Sequence, residues 1–155
     1  MPAPVGIVTT LDPAGHPVGL AMSALMPVSL EPPAMAICVN RSAGAHQALV
    51  GAGLFCINLL HSALDGHILP FADPAARELR FTQADWQQHG ESGIWYIAGA
   101  AANLFCETAE LLAHGTHDLI VGNVVDLLSG GGEDIIGWGN GAPGRLQPLP
   151  GKSSA

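Results

Sequence analysis

Charge is scarce in this sequence. Only 12% of the 155 residues are Asp, Glu, Lys or Arg, and five basic residues face thirteen acidic ones, a formal net charge of −8 with the seven histidines neutral. So few cations exclude binding along nucleic acid or on an anionic lipid surface, which needs clustered Lys and Arg. Long apolar runs are also missing, and none approaches the roughly 20 residues of a membrane-spanning helix. The start, "MPAPVGIVTT", has no basic stretch ahead of an apolar one, so no signal peptide is expected. Cysteine is limited to Cys38, Cys56 and Cys106, an odd number with no CxxC pair, each inside an apolar run. That pattern argues against a disulfide framework and for small buried hydrophobes in a reducing cytoplasm. "SGGGED" and "GWGNGAPG" are glycine-rich, yet neither reads GxGxxG between a strand and a helix; GxxxxGK[ST] and GxSxG are absent too. A nicotinamide, if used, is therefore not held by a Rossmann domain. His114 and His117 form an HxxH pair in a turn-to-strand segment, without a supporting carboxylate or cysteine cluster, so no metal is expected.

What the chain does have is apolar mass. Residues of hydrophobic type make up 48% of it, and its length suits one domain. With so little charged surface, self-association into a homodimer is the simplest way to cover apolar faces. "PVGIVTT" (4–10) and "HPVGLAMS" (16–23) flank the turn signal "DPAG" and predict a hairpin. "EPP" breaks the chain before "AMAICV" (34–39), a strand apolar on both faces. "SAGAHQALVGAG" (42–53) predicts a short helix ending at glycine. A strand "LFCINLL" (54–60) follows, then short helices over 61–81 interrupted by Pro70 and Pro74, and a polar loop over 82–93. "AANLFCETAELLAHG" (101–115) alternates weakly. "HDLIVGNVVDLL" (117–128) is the clearest strand, with His117, Leu119, Val121 and Val125 expected on its core-facing side. "IIGWG" predicts a final strand and "APGRLQPLPGKSSA" an irregular tail. The domain is drawn over residues 1–145, with 146–155 as tail. Many short strands and few helices predict a closed β architecture plugged by helices.

Two positions invite chemistry. Arg41, in "NRS" at the end of an apolar strand and before a helix, offers a guanidinium beside a hydroxyl and free backbone N–H groups, the parts of a phosphate cradle. The same residues equally describe a surface arginine with Ser42 as a helix cap. His117, at a strand mouth beside a turn, suits an acid, a base or a hydrogen-bond donor, or a satisfied structural histidine.

Taken in order, "PVGIVTTLDPAGHPVGLAMSALMPVSLEPPAMAICVNRSAGAHQAL", "GLFCINLL", "RFTQADW" (80–86), "NLFCET" (103–108) and "GTHDLIVGNVVDL" (115–127) resemble the flavin reductase-like family, the short-chain NAD(P)H:flavin oxidoreductases that serve two-component flavin monooxygenases. The resemblance implies a mainly β fold, an FMN-binding split β-barrel of Greek-key type with a few short helices, working as a homodimer. It implies FMN or FAD as cofactor, NADH or NADPH as hydride donor, and a flavin-dependent monooxygenase as acceptor of reduced flavin. Residues Ala21, Met22, Ser23, Ala24 and Leu25 would run under the flavin ring. Asn40, Arg41 and Ser42, with His46 nearby, would hold its phosphate and ribityl chain. Gly115, Thr116 and His117 match a Gly-Asp-His motif linked to nicotinamide use, which makes His117 the catalytic candidate. Ala21, Ala24 and Ala45 replace hydroxyl side chains usual in the family. A non-catalytic flavin carrier, or a barrel that has lost its flavin, are the rival readings.

Overall fold

The structure is a computed structural model, described over residues 2–132, 134–146 and 149–151. Twelve strands and two α-helices follow in chain order: β1 (Ala3–Pro4), β2 (Gly6–Leu11), β3 (Pro17–Met22), β4 (Leu25–Leu30), β5 (Pro33–Asn40), α1 (His46–Ala52), β6 (Leu54–Leu59), α2 (Leu69–Ala72), β7 (Trp86–Gln88), β8 (Trp95–Ile97), β9 (Ala102–His114), β10 (His117–Leu128), β11 (Ile136–Gly139) and β12 (Ala142–Arg145). Two 3-10 turns, Ser62–His67 and Pro74–Leu79, flank α2. Seven strands form one antiparallel sheet in the order β3-β2-β6-β9-β10-β5-β4. Its two edges, β3 and β4, are consecutive in the chain and joined only by Ser23 and Ala24. The sheet therefore does not close. The closed barrel expected from strand count gives way to a split barrel, as the resemblance implied.

Several expectations hold. The β2–β3 hairpin turns over "DPAG", where Asp12 Oδ1 accepts from the Ala14 and His16 amides. The 61–81 stretch is divided into short helical segments at its prolines as predicted: Pro70 and Pro74 each stand in the first turn of a new segment, where a missing backbone donor costs nothing. Others need correction. The 42–53 helix is shorter, starting only at His46, because Asn40–Ser42 folds as a side-chain-closed turn first. β4 was not foreseen; Pro27 and the cis Glu31–Pro32 turn hide a strand that tolerates proline because it lies at a sheet edge. The 82–93 segment is not all loop: Trp86–Gln88 pairs with Trp95–Ile97. β12 lies in what was read as an irregular tail.

The largest correction concerns β10. Its inward face carries Asp118, Ile120 and Gly122, all buried, whereas His117, Leu119 and Val121 are half-buried on the other face and Val125 is exposed. A carboxylate and a glycine disguise that face. Gly122 is required there, since a Cβ would meet the Phe55 ring at 2.7 Å and Cys106 Cβ at 2.8 Å. Asp118 is tolerated because it is paired. Its Oδ1 accepts from Arg41 Nε (3.2 Å) and Nη2 (3.0 Å), and its Oδ2 accepts from His46 Nε2 at 2.6 Å. The hydrogen bond from Arg41 comes first, and that from His46 second, in holding the Asp118 carboxyl below its ordinary value of 3.8.

A second buried polar group ties the layers together. Asn58 on β6 donates through Nδ2 to Ile7 O (2.8 Å), and its Oδ1 accepts from the Ile97 amide (3.0 Å) and from Asn103 Nδ2 (2.8 Å). One fully buried amide thus joins β2, β6, β8 and β9.

Asn58→Leu should strand the Ile97 N–H and Ile7 C=O and cost about 2–4 kcal/mol, taking about 1–3 kcal/mol per orphaned buried group; urea unfolding measures it. A carboxyl with a lowered folded-state pKa contributes stability that is present above its unfolded value and lost as pH falls through the folded one. The melting temperatures of the wild type and Asp118→Asn should therefore differ at neutral pH and converge below the ordinary carboxyl value of 3.8.

Candidate functional site

Two grooves share the residues Leu20, Phe71 and Ala72 and lie end to end as the two parts of a channel beside the open edge at β3. The first part, about 320 Å³, is apolar, with Val5, Ala21, Met22, Ser23, Ile68 and Trp138 on its walls. The second, about 260 Å³, runs past Ala43, Gly44 and Ala45 to Arg77 and Arg80. Phe71 can lie against β3 only because Gly19 is glycine; a Cβ there would sit 2.7 Å from the ring. Behind it, Phe71, Phe81 and Trp86 pack with ring centroids 4.6–5.9 Å apart and stiffen the wall.

Arg77 lies on the second 3-10 turn and Arg80, three positions on, is the extended residue that caps its end. Arg80 is fixed: its Nε donates to Pro70 O at 2.6 Å, and its guanidinium lies 5.2 Å from the Phe71 ring centroid. Burial first, and then the like charge of Arg77, pull the Arg80 pKa down from its ordinary value; a guanidinium stays charged all the same. Among the described residues neither arginine has a carboxylate partner. Two like charges held side by side without a counter-charge suit an anion. The channel is thus apolar at one end and cationic at the other. That chemistry fits a flat aromatic ring with a phosphate tail, in a space of the size usual for cofactors. A larger cavity of about 350 Å³, lined by Thr10, Asp12, Gln47 and Ile94 among others, contains a carboxylate and no cation, so it is wrong for a phosphate.

The positions expected beneath a ring divide. Ala21, Met22 and Ser23 line the channel. Ala24 is exposed at the seam, and its carbonyl accepts from the Cys38 amide. Leu25 is buried in the core. The expected phosphate cradle is engaged internally: Asn40 Oδ1 accepts from both the Ser42 amide and the Ser42 hydroxyl, each at 2.9 Å. Arg41 turns to Asp118 and to the carbonyls of Gly115 and His117. His46 stands on the other side of the same carboxylate. His117 is half-buried at the start of β10, with Nδ1 2.9 Å from Thr116 Oγ1. Asn40, Arg41, Ser42, His46 and His117 therefore gather at the β5–β10 mouth, while the ring-side residues and the unpaired cations gather in the channel. Sequence reasoning assigned no role to Arg77 and Arg80. The available signal was arithmetic: two of only five basic residues lie three apart after a proline. Among the described residues no group of three or more His, Cys, Asp or Glu side chains could hold a metal ion, and no helix is long and apolar enough to cross a membrane.

Comparison with known proteins places this geometry in a family. The flavin reductase like domain matches residues 1–146. The reductase subunit of the stachydrine N-demethylase of Rhizobium meliloti is 34% identical over 147 residues, 95% of this chain and 61% of that protein. The NADH flavin reductase of Kitasatospora aureofaciens is 34% identical over 126 residues, 81% of this chain and 65% of its own length. The chain thus spans less than two thirds of the length of these two relatives. The NADH:FAD oxidoreductase of Streptomyces globisporus superposes with a TM-score of 0.85 at 29% identity, covering 99% of this chain and 85% of that one. In its complex with NAD and FAD fragments the TM-score is 0.79 at 27% identity, covering 97% of this chain and 89% of the other. A family match along nearly the whole chain, on a split barrel with a channel of this polarity, makes the protein a member of the flavin reductase-like domain family.

Proposed function

We propose that the protein is an NAD(P)H:flavin oxidoreductase that transfers a hydride from reduced nicotinamide to FMN or FAD and releases the reduced flavin to a flavin-dependent monooxygenase. The observation that carries this is the channel running from the apolar wall at Ala21–Ser23 to the paired cations Arg77 and Arg80. Membership of the family supports it.

When bound, the flavin supplies the redox chemistry. The protein's share is to hold, align and dry the reacting groups. Leu20, Met22 and Phe71 supply the apolar wall for the ring and keep water from it. Arg77 and Arg80 anchor the phosphate, joined by the backbone at Ala43–Ala45. Ala21 and Ala45 line the same channel with methyl groups where hydroxyls are usual in the family, so hydrogen bonding to the ligand there falls to the backbone and to Ser23. Asn40, Ser42 and His46 shape the adjoining mouth. His117 at that mouth is assigned to the nicotinamide, as a hydrogen-bond donor to its carboxamide or to charge growing as hydride arrives.

The homodimer and the monooxygenase partner belong to the same proposal. β4 is an edge strand whose outward side chains Met26, Val28 and Leu30 are 48–88% exposed, an apolar ribbon suited to burial against a second copy. The similarity to a reductase subunit of an N-demethylase supports a partner oxygenase. Cys56 and Cys106 are free and buried, with burial pushing the Cys106 thiol up to about 12, in keeping with a cytoplasmic location.

Oxidation of NADH and NADPH should proceed when FMN, FAD or riboflavin is added; bound flavin without turnover would instead make the protein a carrier. In Arg77→Ala and Arg80→Ala, FMN affinity should fall roughly 10- to 150-fold, the worth of one charge-assisted contact, while riboflavin, which has no phosphate, is held as before. Light scattering should give twice the 15.9 kDa chain mass, falling to one chain when Val28 and Leu30 are both changed to Asp.

A further inference from the structure

We propose that Arg41 is a positioning residue for His117, clamping the turn that carries it, and not the ligand of the flavin phosphate. The inference rests on the flavin reductase reading above. The grip is complete. The Arg41 amide donates to Thr116 O at 3.0 Å, Nη1 to Gly115 O at 2.8 Å, and Nη2 to His117 O at 3.3 Å. One residue thus holds three successive carbonyls of the β9–β10 turn. Its Nε and Nη2 also hold the next side chain, Asp118.

The donor count leaves no fork for a bidentate second contact. A guanidinium has five N–H groups. Four of them are committed to Gly115, His117 and Asp118. A bidentate grip on phosphate takes two parallel N–H groups of one fork, and only one N–H remains. Turning the fork to a phosphate would strip Asp118 of its cation on the buried face of β10, leaving only His46 to hold it. The channel already offers Arg77 and Arg80, whose charges have no carboxylate among the described residues.

The turn needs a clamp. Gly115 sits at φ +56°, a left-handed conformation, in the turn between β9 and β10, just beyond the His117–Asn40 pair where the β5 ladder ends. On its free side the turn is exposed, and among the described residues the hydrogen-bond partner of the His117 ring is its own neighbour, Thr116. A hydride-transfer geometry is sensitive to displacements of about 1 Å, which can cost about 100-fold in rate. Asp118 makes the clamp rigid from beneath by joining Arg41 on β5 to His46 on α1. The β10–β5 ladder, with His117 opposite Asn40, fixes the start of the strand, and Arg41 adds the hold on the carbonyls of the turn before it.

The test compares Arg41→Ala, Arg41→Lys, His117→Ala and the Arg41→Ala/His117→Ala double variant. FMN and riboflavin affinities, single-turnover reduction by NADH, melting curves and amide exchange at His117 and Asp118 are read on each. The clamp predicts that Arg41→Ala changes FMN and riboflavin affinity equally and by less than about threefold, and slows reduction by about 10- to 100-fold. The double variant should be no slower than His117→Ala alone. Lysine, a point donor without the fork, should not restore the rate. Exchange at His117 and Asp118 should speed about tenfold or more relative to the β6 core. An FMN-specific loss with riboflavin untouched would overturn the proposal in favour of a phosphate ligand. Additive effects of Arg41 and His117, or a lower melting temperature with normal rates and unchanged local exchange, would also overturn it. If the wild type reduces no flavin, the reductase reading fails by itself; exchange at the turn still reports on the clamp, and unchanged exchange in Arg41→Ala overturns it.

Discussion

A carboxylate faces the interior of the sheet at Asp118, and the site is arranged around neutralising it. Its side chain is only 10% exposed, so an uncompensated charge would be costly. Arg41 comes to it from the end of β5 and His46 from the first turn of α1. Two consecutive elements, β5 and α1, are thereby fixed at one corner to β10, which lies 72 to 77 residues further along the chain. The two oxygens of one side chain set the exit of β5, the start of α1 and the entry of β10. Without a charge on β10's inner face, Arg41 would have no reason to fold back over β10, and the turn before His117 would lose its grip.

The open sheet is the second constraint. Because β3 and β4 do not pair with each other, both edges keep free backbone groups and apolar side chains. One edge borders the channel, whose floor is built from β3 and whose far wall is the proline-broken segment after β6. The other, β4, offers its outward apolar row. A closed barrel would have filled its interior with side chains and left no long groove; the split supplies a groove and a sticky edge together. The Asn58 amide compensates by pinning β2, β6, β8 and β9 from within, so the opening does not loosen the core.

Much of this was legible in the residues. Alternation and turn signals gave the β2–β3 hairpin, β6 and β10, and the ordered set of segments gave the family and the split barrel. What escaped has physical causes. β4 carries Pro27 and ends in Glu31–Pro32, so only its edge position makes it a strand. β7 and β8 are three residues each and depend on Asn58 binding the Ile97 amide. The inner face of β10 was misread because its inward residues include Asp118 and Gly122, one charged and one without a side chain. Each is explained only by a distant partner: Arg41 and His46 for the first, Phe55 and Cys106 for the second. Of the candidate residues, Asn40, Arg41, Ser42, His46 and His117 converge on one mouth. Their division of labour was hidden, because sequence cannot tell whether an arginine's donors are spent on the protein's own carbonyls. Arg77 and Arg80 lacked any motif and emerge only once Phe71 and Gly19 place their turn beside β3.

The central claim is that flavin lies along the channel between β3 and the proline-broken segment. A crystal structure of the FMN complex tests it most directly. The account predicts the ring against Ala21–Ser23, the phosphate within hydrogen-bond distance of Arg77 or Arg80, and Arg41 still bonded to Asp118. A ring seated in the cavity beside Thr10 and Gln47, or a phosphate held by Arg41 with Asp118 released, would contradict it.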